Sequence, residues 1–317
     1  MSDVPRVAVV GSINMDLSVA TERVPLRGEN LRARKLTVGL GGKGASPAVA
    51  LAQLGAASTL VACVGDDEFG QRALETLQLR GVDGSAVQPL AHRGTGVALI
   101  MVDDAGENTI LVVIGANQEL HAERVQQGLD GMAAHPEALL VNFEVPADAV
   151  TATIAWGRAH AIPVVVDAGP IRDYGPDIWA QADVLSPNAS ETAHLTGLAV
   201  DGLASARLAA ERLKVLGPRA VVLKLGAQGC LLLDDDGARQ LPAYQVQVAD
   251  TTGAGDAWSA GLTLGLARGL SLDDAAQLAN ACGAVAVSRV GAVVSMPTAQ
   301  DVARLRAEQP EPPLLWL

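Results

Sequence analysis

The sequence predicts an α/β fold: a doubly wound, mostly parallel sheet carrying a small β-sheet lid. Three observations predict it. From residue 6 onward, short apolar runs ending near glycine alternate with longer helical patterns. The apolar residues are mostly Val, Leu, Ile and Ala, with only two Phe, two Tyr and four Trp, the usual filling of a buried parallel sheet. Two stretches, about residues 12–40 and 94–115, break the alternation with strand and turn patterns and no helix. The chain therefore reads as one domain over residues 1–317, with these two stretches as the lid.

The elements follow in order. Residues 6–10 (RVAVV) form a strand stopped by Gly11. Ser12, Asn14 and Asp16 continue as a polar turn at its carboxyl end, where open parallel sheets bind ligands. Residues 44–54 are small and apolar and end at Gly55, a helix with a C-terminal glycine. Residues 58–64 are the next strand, and 68–80 an amphipathic helix ending at Gly81. Residues 96–113 are two strands joined by a turn at 104–108. In the first, Val97, Leu99 and Met101 alternate with Ala98, Ile100 and Val102, so both faces are apolar. Such a lid strand has one face for a substrate and one for a second subunit; burial in the main core is the plainer reading. Strands return at 138–141, 162–167, 183–186 and 220–224, with helices at 147–160, 254–268 and 272–289.

The net charge of −12 argues against nucleic acid or an anionic membrane as a partner, since both need clustered Lys and Arg. Three Cys, at 63, 230 and 282, are widely spaced and fit a reducing cytoplasm. Residues 1–10 lack the pattern of a secretory leader, and no run of 18 apolar residues occurs. The five His show no metal-ligand spacing.

Four segments carry the candidate chemistry. In ADTTGAGDAWSAGL (249–262), small residues open a helix and leave the N–H groups of Gly253, Ala254 and Gly255 for an anion. Asp256 stands in the first turn. A carboxylate beside an anion hole can take an alcohol proton while the amides stabilise a transferred phosphoryl group. In GLGGKGAS, Gly39, Gly41 and Gly44 match G-x-G-x-x-G, but no Rossmann context surrounds them, and Lys43 is not followed by Ser or Thr as in a Walker A loop. A nicotinamide-dependent dehydrogenase is thus a weak rival. Asn14 and Asp16 suit sugar hydroxyls. In SPNASE, Asn188 and Glu191 share a face and suit the water shell of Mg²⁺, or simply form a helix cap.

These segments, in this order, resemble the ribokinase family of carbohydrate kinases, the PfkB superfamily, from Arg6 to Pro297. The motifs are Gly41-Gly42-Lys43-Gly44-Ala45, the segment from Asp250 to Asp256, Gly94-Thr95-Gly96-Val97-Ala98 and Gly106-Glu107-Asn108. The resemblance implies ATP-dependent phosphorylation of a sugar hydroxymethyl group, with D-ribose the expected acceptor. Another sugar such as fructose, a sugar acid such as 2-keto-3-deoxygluconate, or a nucleoside is the alternative. A non-catalytic sugar sensor is a further rival, opposed by intact Asp256, Gly253 and Gly255. The implied roles are Asp256 as base and the amides of Gly253, Ala254 and Gly255 as anion hole. Asn14, Asp16, Gly42, Lys43, Gly44, Ser46, Glu144 and Asp250 would hold the sugar. Asn188, Lys224, Gly226, Gly229, Gly255 and Asn280 would lie near ATP, and Glu191 would organise Mg²⁺. Asp250, Thr252, Ala286, Arg289, Gly291 and Ser295 match a K⁺ site built mostly from carbonyl oxygens. A homodimer through the lid is also implied. Ser46, followed by Pro47, replaces the family's usual Asn, and loss of one sugar hydrogen bond costs about 1–3 kcal/mol. Trp258 is expected to be a packing residue.

Overall fold

The structure, a computed structural model, describes residues 4–317; the first three residues of the leader reading over 1–10 lie outside it. In chain order the strands are β1 (Arg6–Val10), β2 (Asn14–Ala20), β3 (Lys35–Gly41), β4 (Ala57–Gly65), β5 (Val87–Leu90), β6 (Gly96–Val102), β7 (Asn108–Val113), β8 (Ala138–Asn142), β9 (Val164–Asp167), β10 (Val184–Ser186), β11 (Ala220–Lys224), β12 (Cys230–Asp234), β13 (Gly237–Leu241) and β14 (Leu315–Trp316). The helices are α1 (Ala45–Gln53), α2 (Glu68–Leu79), α3 (Ala122–Asp130), α4 (Ala147–Ala159), α5 (Pro176–Trp179), α6 (Ala189–Thr196), α7 (Leu203–Val215), α8 (Ala254–Ala267), α9 (Leu272–Val287) and α10 (Ala299–Glu308).

Ten strands form the main sheet in the order β14-β13-β12-β11-β10-β9-β8-β1-β4-β5. From β11 to β5 all neighbours are parallel, whereas β12, β13 and β14 pair antiparallel at one edge. The sheet is doubly wound because its strands are apolar on both faces. In β1, Val7 and Val9 join the core beneath α1, α8 and α9, while Ala8 and Val10 join the core beneath α3, α4 and α7. The chain runs outward from β1 to β4 and β5, then returns to the other side of β1 as β8. The order therefore reverses between β1 and β8, which opens a crevice at their carboxyl ends.

The other four strands make a separate sheet in the order β3-β2-β6-β7, with β2 and β6 parallel. The expectation of a small projecting sheet holds, and the plainer reading of β6 as main-core filling does not. One expectation needs correction. Asn14 and Asp16 do not sit in a turn; they open β2. The polar residues 14, 16 and 18 alternate with Met15, Leu17 and Val19, so a period of two was present but masked by the glycine-rich and polar surroundings. The edge strand β7 is exposed along its whole length, with Ile110, Leu111, Val112 and Val113 all 46% exposed or more.

Candidate active site

The crevice between β1 and β8 is built on close backbone contact. Gly44, the N-cap of α1, lies against Gly11: a Cβ on Gly44 would stand 2.5 Å from the Gly11 carbonyl carbon and 2.7 Å from Ser12 N. The amides of Gly44 and Ala45 both donate to the Ser12 carbonyl at 3.0 Å. Gly42 has φ of +99° and approaches Ser12 and Asn14 just as closely. This apposition delivers Lys43, Ser12 and Asn14 to one place.

Glu144, just past β8, gathers them. Its Oε2 accepts from Asn14 Nδ2 at 3.2 Å, from the Lys43 amide at 3.1 Å, and from the Ser12 hydroxyl. Asn117, in a short 3-10 turn, donates from Nδ2 to Asn14 Oδ1 at 2.8 Å and accepts from the Ile13 amide at 2.8 Å. Asn117 was not identified from the sequence; its turn lies 103 residues from Asn14 and carries no motif. Asp16 stands beside Glu144 and Asp256, and burial together with these two carboxylates pushes its own carboxyl up to about 7. Ser46 is buried in the first turn of α1.

The opposing wall is the N-terminus of α8. Gly253 caps it in the left-handed region at φ +76°, and a side chain there would strike Met296. Among the described residues, the amides of Gly253, Gly255 and Asp256 donate to no protein acceptor. The Ala254 amide, by contrast, is bonded to the Thr251 carbonyl at 3.2 Å. The candidate anion hole is therefore Gly253, Gly255 and Asp256, with Ala254 removed from it: a turn at 251–254 precedes the helix and takes that N–H. Gly255 faces open space.

Asp256 points into the crevice, with 14% of its side chain exposed and Oδ1 3.5 Å from Lys43 Nζ. Burial raises its carboxyl above the ordinary range against the opposing pull of Lys43; Asp167 and Glu144 raise it further. Burial alone would lower the Lys43 ammonium, but Asp256, Asp167, Glu191 and Glu144 together hold it above an ordinary lysine. A basic carboxylate and a fixed cation thus meet at the helix end.

Behind α8 lies a cavity of about 320 Å³. Lys224, Gly226, Gly229, Gly255 and Asn280, five of the positions that the resemblance places near ATP, all line it. Gly229 approaches the Leu241 carbonyl so closely that no side chain fits. Apolar walls from Val246, Val248, Ala284 and Val287 were not identified from the sequence; their spacing is that of any core segment. Trp258 is more than packing: its Nε1 donates to Asn280 Oδ1 at 3.0 Å, and Asn280 Nδ2 donates to the Pro242 carbonyl at 3.0 Å. Two larger cavities open at the amino ends of the strands, away from this chemistry.

Asn188 and Glu191 do not line that cavity. They form the capping box of α6: Asn188 Oδ1 accepts from the Glu191 amide and Glu191 Oε2 from the Asn188 amide. The structural reading of that pair is correct, but it does not exhaust Glu191, whose Oε1 faces Gly169 beside Lys43 Nζ. Asp250 also differs from expectation. Its carboxylate holds the loop before α8, accepting from the Thr252 amide and hydroxyl and from the Gly291 amide at 2.7–2.9 Å. Of the six positions matched to K⁺, the structure ties Asp250, Thr252 and Gly291 together. The Ala286 carbonyl accepts from the Arg289 amide at 3.1 Å, the Ser295 hydroxyl donates to the Ala292 carbonyl, and the Arg289 guanidinium pairs with Asp301 at 2.6 Å.

The charge balance of the crevice has a consequence for stability. Burial and the neighbouring carboxylates push the Asp16 carboxyl from the ordinary range near 3.8 up to about 7 in the folded chain. The folded state therefore loses stability as pH rises from about 4 to about 7, by at most on the order of 4 kcal/mol, and no further above that. Asp16→Asn is expected to raise the melting temperature, with a gain that grows over that window and then levels off. A gain independent of pH would show that Asp16 is not the titrating group.

A family model described as pfkB family carbohydrate kinase matches residues 4–299. The chain belongs to that family. Its relatives include ribokinases: the ribokinase of Haemophilus influenzae is 31% identical over 293 residues, covering 92% of this chain and 95% of that protein. The deoxyribokinase of Salmonella typhi is 32% identical over 253 residues, covering 80% and 82%. Among solved structures, Arabidopsis thaliana ribokinase complexed with ribose and ATP superposes with a TM-score of 0.86 at 29% identity, covering 95% of this chain and 98% of that one.

Proposed function

We propose that this kinase transfers the γ-phosphoryl group of ATP to the hydroxymethyl group of a small sugar, D-ribose first, giving ribose 5-phosphate. One observation carries the reading: Asp256 and the unbonded amides of its helix end stand between a polar crevice lined by Asn14, Asp16, Lys43 and Glu144 and a separate cavity of about 320 Å³. Asn14, Asp16, Lys43, Glu144 and the backbone of Gly42 orient the sugar, with Gly44 and Ser46 shaping the wall behind it. Asp256 accepts the hydroxyl proton as the oxygen attacks in line. The amides of Gly253, Gly255 and Asp256 stabilise charge on the moving group. ATP lies against Lys224, Gly226, Gly229, Asn280 and Trp258, and closure of the lid excludes water. The ribose and ATP bound by the Arabidopsis relative support both ligands.

A divalent cation fits this site. Asp16, Glu144, Asp167, Glu191 and Asp256 surround two ammoniums, Lys43 and Lys224, so carboxylates are in excess before any triphosphate arrives. Mg²⁺ would offset that repulsion, held through water by Glu191 and by the phosphates. K⁺ would sit at the loop joining Asp250 and Thr252 to Gly291, Ala286, Arg289 and Ser295 through carbonyl oxygens. The exposed apolar strand β7 supports a homodimer through the lid, because an open apolar edge invites a second copy. Three free, buried cysteines support a reducing, cytoplasmic setting; no helix among the described residues is long and apolar enough to cross a membrane.

Steady-state phosphorylation of ribose, 2-deoxyribose, fructose, 2-keto-3-deoxygluconate and a nucleoside, with and without K⁺, tests the reading. Ribose is expected to give the highest kcat/KM. Faster turnover of another acceptor would move the substrate while leaving the chemistry in place. No phosphorylation of any would remove the kinase assignment.

A further inference from the structure

We propose that Asp167 is the positioning residue of the phosphoryl-transfer site, locking the first turns of α8, and with them Asp256, to the carboxyl end of the sheet. The proposal rests on the kinase reading above. Asp167 closes β9 and is 3% exposed. Its Oδ2 accepts from Ser259 Oγ at 2.6 Å and from Lys224 Nζ at 3.0 Å, and its Oδ1 accepts from the Gly169 amide at 3.1 Å. Ser259 is three residues beyond Asp256, on the same side of α8 one turn along. A helix turns as a rigid rod, so holding Ser259 sets the direction in which Asp256 points.

The remaining side-chain bonds of α8 do not do this. Among the described residues, Lys43 meets Asp256 from the glycine-rich loop before α1, Trp258 bonds Asn280 of α9, and Thr263 bonds within the helix. Among the described residues, Ser259 with Asp167 is the one side-chain bond from α8 to the main sheet. The register neighbours of Asp167 are Asn142 and Ser186, whose Nδ2 and Oγ are buried without a partner, so neither takes over the task. Asp167 also reaches past β10 to Lys224, which lines the nucleotide cavity. One carboxylate therefore connects the base and the nucleotide wall.

A buried ion pair can serve stability alone, so the test needs a readout that stability does not move. Asp256 is faced by Lys43 from the loop before α1, Asp16 from β2, Glu144 beyond β8, Asp167 from β9 and Lys224 from β11. The negative charge of Asp167 pushes the Asp256 carboxyl up. Asp167→Asn keeps the side-chain shape and removes that charge. The acid limb of kcat/KM should then move to lower pH, whereas plain destabilisation would scale the profile without moving it.

The experiment measures kcat, KM for sugar and ATP, and the pH profile for wild type, Asp167→Asn and Ser259→Ala. Asp167→Asn is expected to lower kcat by roughly 10- to 100-fold, the scale of a misplaced catalytic group, with KM for the sugar nearly unchanged. Ser259→Ala, which removes only the tie to α8 at a position that favours Ala, is expected to lower kcat by about 3- to 10-fold without moving the acid limb. If Asp167→Asn does not fold, Ser259→Ala decides alone. Wild-type kcat in Ser259→Ala, or a fixed acid limb in a folded Asp167→Asn, overturns the proposal while the kinase reading stands. A wild type inert toward every sugar overturns both.

Discussion

Asp256→Asn is expected to lower kcat by roughly two decades or more, the usual worth of a general base. The amide is isosteric, and the free N–H groups of Gly253, Gly255 and position 256 remain, so sugar and nucleotide should still bind. The loss should appear in kcat, with KM changing little. The pH profile carries a second signature. Burial raises the Asp256 carboxyl, so the wild-type acid limb should lie above the range of an ordinary aspartate, activity falling as pH drops through it. The Asn variant should lack that limb. Stopped-assay kinetics from pH 4 to 9 would measure both, and a variant with unaltered kcat would remove Asp256 from the role of base.

Gly44→Ala is expected to have a large structural effect, because the methyl group meets backbone and not side chains. The added carbon would lie 2.5–2.7 Å from Gly11 and Ser12 backbone atoms, which cannot rotate away. Either α1 shifts from β1, breaking the paired bonds to the Ser12 carbonyl, or the strand end moves. A destabilisation of about 3 kcal/mol or more is expected, together with loss of sugar affinity because Lys43 and Asn14 hang from the same contact. Gly39→Ala is the control in the same glycine-rich segment. Nothing lies within 4 Å of its Cβ position and its φ is not positive, so stability should change little. Urea titration of both variants checks the contrast; equal stability in the two would mean that the Gly11–Gly44 contact is not tight in solution.

Much of the site was legible because its residues sit where local rules act. A glycine turn before a helix with Asp256 in its first turn announces an anion site, and Asn14 and Asp16 follow directly on a buried strand. Gly44, which touches the backbone of Gly11 and Ser12, was visible as a member of a glycine-rich turn, whereas Gly229 entered only through the family resemblance. Other residues were not legible. Asp167 closes an apolar run like any strand-ending aspartate, and Lys224 lies 57 residues away, so only the sheet order makes them partners. Asn117 reaches Asn14 only because β2 and β6 lie side by side in the small sheet.

The alternation of strands and helices, the parallel sheet and the family were legible in the sequence alone, as was the candidate anion site at a helix end, because periodicity, glycine and capping are properties of neighbours along the chain; the hairpin at 230–241 and the helices at 203–215 and 299–308 were not read from it. The tertiary structure decided which amides stay unbonded, that Asp250 serves its own loop, that burial pushes the Asp16 carboxyl up, and that Asp167 joins α8 to Lys224. Those outcomes depend on burial and on charges brought together from distant segments, and neither has a local signal.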